Sequence, residues 1–190
     1  MSFVSDPAGP PPQRLSVAEF LAWSETQEGR YELVDGRVYA QAAERVAHTK
    51  MKGLVFLALA EAIKKRGLDC RALVDGAAVR VGARSVFEPD ALIYCGPELP
   101  PDATLVENPV VVVEVISPST GRNDTTRKLA GYFNLPSIQH YLMIDPDERL
   151  VVHAERGADG VVRTHFFKGG VVKMDPPGLE LPLEEIYGTG

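Results

Sequence analysis

Apolar and polar positions along the chain recur with periods that assign most of its secondary structure. Ser16 followed by Glu19 forms a capping-box pattern ahead of Val17, Phe20, Leu21 and Trp23, so a helix is expected to about Glu25. Tyr31 to Tyr39 alternates around Asp35-Gly36, a pair that favours a tight β-hairpin. From about Ala42 to Arg66 the spacing turns helical, with Val46, Leu54, Leu57 and Ile63 among many alanines, and Gly67 closes the run. Leu73 to Val81 and Phe87 to Tyr94 read as strands. Val110 to Ile116 is a nearly unbroken β-branched run, as in a strand covered on both faces. A helix is expected from about Asp124 to Asn134, stopped by Pro136. Strands follow near Gln139 to Ile144, Leu150 to Ala154 and Val161 to Phe167, then a turn and short helix over Pro176 to Glu185. The sum is an α/β chain with a mixed central β-sheet flanked by helices, preceded by an N-terminal helix and hairpin. Residues 1–14, rich in proline, are expected to form a flexible tail, and 15–190 a single domain.

Composition narrows the function classes only slightly. The chain has 190 residues, enough for one ordinary core, and a net charge of −6. That balance argues against a protein that coats long DNA through lysine and arginine, but not against a nuclease, whose metal-binding carboxylates are themselves acidic. Cys70 and Cys95 have no CxxC spacing or neighbouring histidine, which excludes a zinc knuckle, and reduced thiols are the expectation. Met1 to Asp6 lacks the basic and apolar regions of a secretory signal, and no apolar run approaches a membrane span. The cytoplasm, with no membrane association, is the expected location.

Three acidic residues carry the chemistry, because each interrupts an apolar or hairpin strand. They are Glu32, Asp90 in Phe87-Glu88-Pro89-Asp90-Ala91-Leu92, and Glu114 among Val110 to Ile116. A carboxylate in a buried β run is costly unless it is paired or binds a metal. For Glu114 a buried pair with Lys or Arg is the alternative to a metal. Two carboxylates converging at strand ends would make a hard oxygen site suited to Mg²⁺ or Mn²⁺. Lys128, on the following helix, is the natural cation to orient a water or offset charge on a phosphoryl group. Glu88 precedes Pro89-Asp90 and is expected on the other side of the strand, outside the site.

These segments resemble a known family. Glu88-Pro89-Asp90 followed by Val113-Glu114-Val115-Ile116-Ser117-Pro118-Ser119 is similar to the PD-(D/E)xK signature of restriction-endonuclease-like proteins. It is most similar to the bacterial group called putative restriction endonuclease domains. Asp124, Lys128 and Tyr132 follow in that group's order, as do Glu32-Leu33-Val34-Asp35-Gly36, His48 and His140 to Pro146, over about Leu15 to Val152. The resemblance implies a metal-dependent nuclease cleaving DNA, with Asp90 and Glu114 as ligands of Mg²⁺ or Mn²⁺. It implies Glu32 as a further acidic contributor and Lys128 as the catalytic lysine. His48 is a candidate proton-transfer or supporting group. By the same analogy, a homodimer or larger homo-oligomer is expected. The chain departs from the signature at Ile116, where the strand lysine would stand, and the alternative is an inactive nuclease-like module that binds nucleic acid or protein. Ser117 and Thr120 are candidates for phosphate contact or, equally, turn and cap residues.

Overall fold

A computed structural model describes residues 13–116 and 122–188, so Ser117 and Thr120 lie outside the described residues. Helix α1 (Val17–Ser24) carries the expected capping box: the Glu19 N–H donates to Ser16 Oγ, and the Ser16 N–H to Glu19 Oε2 at 2.8 Å. Strands β1 (Tyr31–Val34) and β2 (Arg37–Ala40) form the expected hairpin. Asp35 and Gly36 both take positive φ at its turn, where a Cβ on Gly36 would lie 2.9 Å from Arg14 Cβ. Helix α2 (Val46–Arg66) begins a turn later than its pattern, at Arg45, and ends on Gly67 in the left-handed region.

The next strands differ from expectation. The Leu73–Val81 run is divided at Asp75-Gly76, both with positive φ, into β3 (Cys70–Val74) and β4 (Val79–Gly82). The Phe87–Tyr94 run is likewise divided at Glu88-Pro89-Asp90 into β5 (Ser85–Phe87) and β6 (Ala91–Cys95). Proline has no N–H for a ladder, so the chain leaves one sheet there and enters another. The remaining elements are β7 (Pro109–Val115), α3 (Arg122–Phe133), β8 (His140–Asp145), β9 (Leu150–Arg156), β10 (Val162–Phe167), β11 (Val171–Met174), β12 (Leu179–Pro182) and α4 (Glu184–Tyr187). Where a turn and helix were expected near the end, β12 pairs with β11 as a hairpin before α4.

Six strands form the central sheet in the order β10-β9-β8-β7-β6-β3, and four form a smaller sheet, β2-β1-β5-β4. Among the strands of the described residues only β7 and β8 pair in parallel, and α3 makes the crossover between them. α2 and the β11–β12 hairpin cover one face of the large sheet, burying Val55, Leu59, Val113, Leu142 and Met174. The other face packs Leu92, Val112 and Tyr141 against Tyr132 of α3 and Phe87 and Val79 of the small sheet. This is a mixed central sheet with helices on its faces. Within α2 the expected apolar set is only partly buried: Leu57 and Val46 face solvent, while Met51, Val55 and Leu59 point inward.

Cys70 and Cys95, expected as reduced thiols, are joined in a disulfide. They are direct partners in the β3–β6 ladder, a neighbourhood that their separation of 25 residues in sequence concealed. Thiol chemistry therefore no longer argues for the cytoplasm. Among the described residues no helix is long and apolar enough to cross a membrane.

Candidate active site

The division of the chain at Pro89 places Asp90 where the two sheets meet. Its backbone N–H bonds to Val113 O, and its Oδ2 accepts the Val115 N–H at 2.6 Å, which fixes the carboxylate against the end of β7. Glu114 is on the opposite strand face from Val113 and Val115, so it points toward α3. There its Oε1 lies 2.9 Å from Lys128 Nζ and accepts the Tyr132 hydroxyl at 2.7 Å. Lys128 and Tyr132 are four residues apart, one helical turn, and so reach the same carboxylate. The same Lys128 Nζ lies 3.0 Å from Glu32 Oε1, brought in by β1 of the small sheet. Glu32 Oε1 also accepts the Glu88 N–H at 2.8 Å. Thus Glu32, Asp90, Glu114 and Lys128, spread over almost a hundred residues, meet at one seam.

The buried ion pair weighed for Glu114 is present, with Lys128 as its cation. Lys128 is 3% exposed and Glu32 2% exposed. Burial, then the nearby Asp90 and Glu32 charges, push the Glu114 carboxyl up to about 8 against the pull of Lys128. Burial alone would lower the Lys128 ammonium, but Glu114 and Glu32 outweigh it and hold it well above the usual lysine value.

His48 reaches the site from the first turn of α2. Its Nε2 lies 2.6 Å from Val115 O and 3.9 Å from Asp90 Oδ2. A carbonyl only accepts, so Nε2 carries a proton and donates. Its Nδ1 lies 3.1 Å from Glu44 Oε2. His48 therefore braces the Val115 carbonyl next to Asp90.

Sequence reasoning missed the second lysine. Lys52, only 2% exposed, places Nζ 2.6 Å from Asp90 Oδ1 and 3.3 Å from Asp75 Oδ1, and also pairs with Glu44. The signal was available: His48, Lys52, Val55 and Leu59 recur at four, three and four, so Lys52 occupies an inward position of α2. Burial would lower the Lys52 ammonium, but Asp90, Glu44 and Asp75 overcome it and raise it. Behind Asp75, Arg30 pairs with Asp75 and with Glu88, whose Oε2 accepts from Gln41 at 3.1 Å. Glu88 is turned away from Lys128 as expected, yet it forms the wall of the site through Arg30 and its own N–H. Nothing in local spacing joins Arg30, Glu44, Asp75 and Glu88, which only the meeting of α2 and the two sheets assembles.

Six carboxylates (Glu32, Glu44, Asp75, Glu88, Asp90 and Glu114) thus surround two lysines and one arginine. The carboxylate excess and the all-oxygen donors, including the Val115 carbonyl beside Asp90, fit a hard divalent cation.

The comparisons agree with this architecture. The family described as Putative restriction endonuclease (Uma2) matches residues 17–184. Uncharacterized protein slr1290 of Synechocystis sp. is 30% identical over 184 residues, covering 95% of each chain. Uncharacterized protein sll1609 of the same organism is 25% identical over 148 residues, covering 76% of this chain and 82% of its own. A crystal structure of a putative nuclease belonging to DUF820 from Anabaena variabilis superposes with a TM-score of 0.73 at 18% identity, over 91% of this chain and 97% of that one.

Proposed function

Starting from the chain's membership of the Uma2 family of restriction-endonuclease-like proteins, we propose that it is a metal-dependent nuclease that hydrolyses phosphodiester bonds in DNA. The observation that carries the reading is the convergence of Asp90, Glu114, Lys128 and Lys52 at one carboxylate-rich seam. Asp90 and Glu114 would hold Mg²⁺ or Mn²⁺, with Glu32 a further acidic contributor through Lys128. When bound, such an ion supplies Lewis-acid stabilisation of the phosphoryl oxygens and lowers the pKa of an attacking water.

The chain's own residues do the rest. Lys128, clamped between Glu32 and Glu114, presents a permanent positive charge where negative charge grows on the phosphoryl group. It replaces from α3 the lysine absent at Ile116. Lys52 holds Asp90 Oδ1 from the other side, while the Val115 N–H holds Oδ2, so the carboxylate cannot rotate away. His48 keeps the Val115 carbonyl in place.

A nucleic-acid substrate is supported by a hollow of about 330 Å³ lined by Arg14, Arg37, Arg84 and Arg127 with Val34, Asp35 and Tyr39. Among the described residues none of these arginines forms a close ion pair, although Arg84 acts on Glu19 through its charge and Arg14 donates to the Asp35 carbonyl at 3.3 Å. A cluster of four guanidinium groups favours contacts to phosphates. Arg127 directly precedes Lys128, and Val34 is two residues along β1 from Glu32, about 7 Å away on the same strand face. The hollow is therefore lined by residues of β1 and α3, the elements that carry Glu32 and Lys128.

Cleavage of supercoiled plasmid and of labelled oligonucleotide, with Mg²⁺, with Mn²⁺ and with chelator, tests the reading. Metal-dependent nicking that falls at least about a hundredfold in Lys128→Met and in Asp90→Asn supports it. Cleavage unaffected by either substitution contradicts it.

A further inference from the structure

A second group of ligand-type side chains lies on the opposite face of the large sheet from Glu114. His140 of β8, His153 and Glu155 of β9 and His165 of β10 project from one face: His140 pairs with Glu155 in the ladder, and His153 with His165. This is the face covered by the β11–β12 hairpin and α2, as the neighbouring Leu142, Val151 and Phe167 show. One donor atom from each of His140, His153 and Glu155 falls within 4.8 Å of the others. His140 Nδ1 and His153 Nε2 are 2.9 Å apart.

The tautomers follow from the partners. His140 Nε2 lies 2.8 Å from Pro176 O, in the turn of the β11–β12 hairpin. A carbonyl only accepts, so Nε2 bears the proton and Nδ1 turns its lone pair toward His153 and Glu155. An imidazole with one N–H tied to a backbone carbonyl and the other nitrogen free to donate electrons is the arrangement that orients metal-ligating histidines. In the metal-free chain His153 Nε2–H must be the donor to His140 Nδ1. Moving that proton to His153 Nδ1 leaves both facing nitrogens as electron donors, with no change in net charge. The Glu155 carboxylate is itself held by His165 Nε2 at 3.0 Å. His140 and His153 are buried, whereas Glu155 is half-buried and His165 half-exposed, so the group opens to solvent on one side.

We propose that His140 Nδ1, His153 Nε2 and the Glu155 carboxylate form a binding site for a divalent transition-metal ion of the Zn²⁺ class, with a fourth position open toward solvent. Two imidazoles and a carboxylate suit borderline metals such as Zn²⁺, where the all-oxygen seam around Asp90 suits Mg²⁺ or Mn²⁺. Glu114 and the histidine cluster lie on opposite faces of the sheet, and the two sites select different metals. By fixing His140, the ion ties the hairpin turn at Pro176 to the central sheet.

The test is calorimetric titration of the full chain with ZnCl₂, with the visible absorption of Co²⁺ as a second probe of tetrahedral nitrogen ligation. Both are run on the unsubstituted chain and on Asp90→Asn, Glu155→Gln and His153→Gln. The expected result is one Zn²⁺ per chain whose affinity is unchanged in Asp90→Asn, falls about 10–100-fold in Glu155→Gln and is lost in His153→Gln. Glu155 is half-buried, so its substitution reports on ligation even where loss of His153 disturbs folding. Zn²⁺ binding that vanishes in Asp90→Asn, that persists undiminished in Glu155→Gln, or that is absent altogether overturns the proposal.

Discussion

Lys128 touches Glu114 at 2.9 Å and Glu32 at 3.0 Å, so removing the lysine and removing one of its carboxylates have unequal consequences. Lys128→Met strands two buried carboxylates without their cation and is expected to destabilise the metal-free protein by about 3–5 kcal/mol. Glu114→Gln leaves Lys128 with Glu32, keeps an acceptor for Tyr132, and relieves crowding with Asp90. Its unfolding free energy in chelator is expected within about 1 kcal/mol of the unsubstituted chain. Chemical denaturation of the two variants side by side checks this, and a larger loss in Glu114→Gln would assign Glu114 to the fold rather than to the site.

At the scale of elements, the position of α3 decides where Lys128 points. Gly131 lies against the small sheet, and a Cβ there would come within 2.5 Å of the Phe87 ring. Gly131→Ala should push α3 outward, cost about 1–3 kcal/mol by overpacking, and weaken any metal-dependent cleavage, since Lys128 rides on the same helix. Thermal melts and plasmid nicking together read both effects. Strands β8 and β9 carry a pH dependence. Burial and then the neighbouring His140 lower the His153 imidazole from 6.5 to about 4, and burial lowers His140 too, with Glu155, His165 and Asp175 the charged or titratable groups around the pair. Between those two values the unfolded chain holds more protons at His153 than the folded one. Stability is therefore present above about pH 6.5 and is lost as the pH falls toward about 4, by about 3 kcal/mol from His153. Denaturation in chelator at pH 7 and pH 4.5 should show a smaller loss in His153→Gln than in the unsubstituted chain.

Elements whose signal is local were legible in the sequence: the Ser16–Glu19 box, the Asp35-Gly36 hairpin and the β-branched β7 run all form as their residues dictate. The carboxylates Glu32, Asp90 and Glu114 were legible because each breaks an apolar pattern. The breaks at Asp75-Gly76 and Pro89 were readable as turn chemistry but lie inside strand-like runs, and the hydrophobic period alone carried through them. Lys52 was hidden by its residue type, since a helix lysine usually faces solvent, although its inward register was visible. Arg30, Glu44, Asp75, the Cys70–Cys95 bridge and the His140–His153 pair depend on which strands become neighbours, which local spacing does not encode.

For the whole molecule, the net charge of −6 is unevenly spread. Six carboxylates meet two lysines and one arginine in the seam between the sheets, and four arginines line a separate hollow beside β1 and α3. A divalent cation at the seam would turn a site that repels phosphate into one that accepts it, which links metal binding to substrate binding. The most direct test of this account is a calorimetric Mn²⁺ titration of the unsubstituted chain beside Asp90→Asn and Glu114→Gln, in protein freed of other metals. Mn²⁺ binding is expected to be lost or weakened at least about tenfold in both variants while each remains folded. No Mn²⁺ binding, or binding indifferent to both substitutions, would contradict it and leave the seam as a network of buried ion pairs.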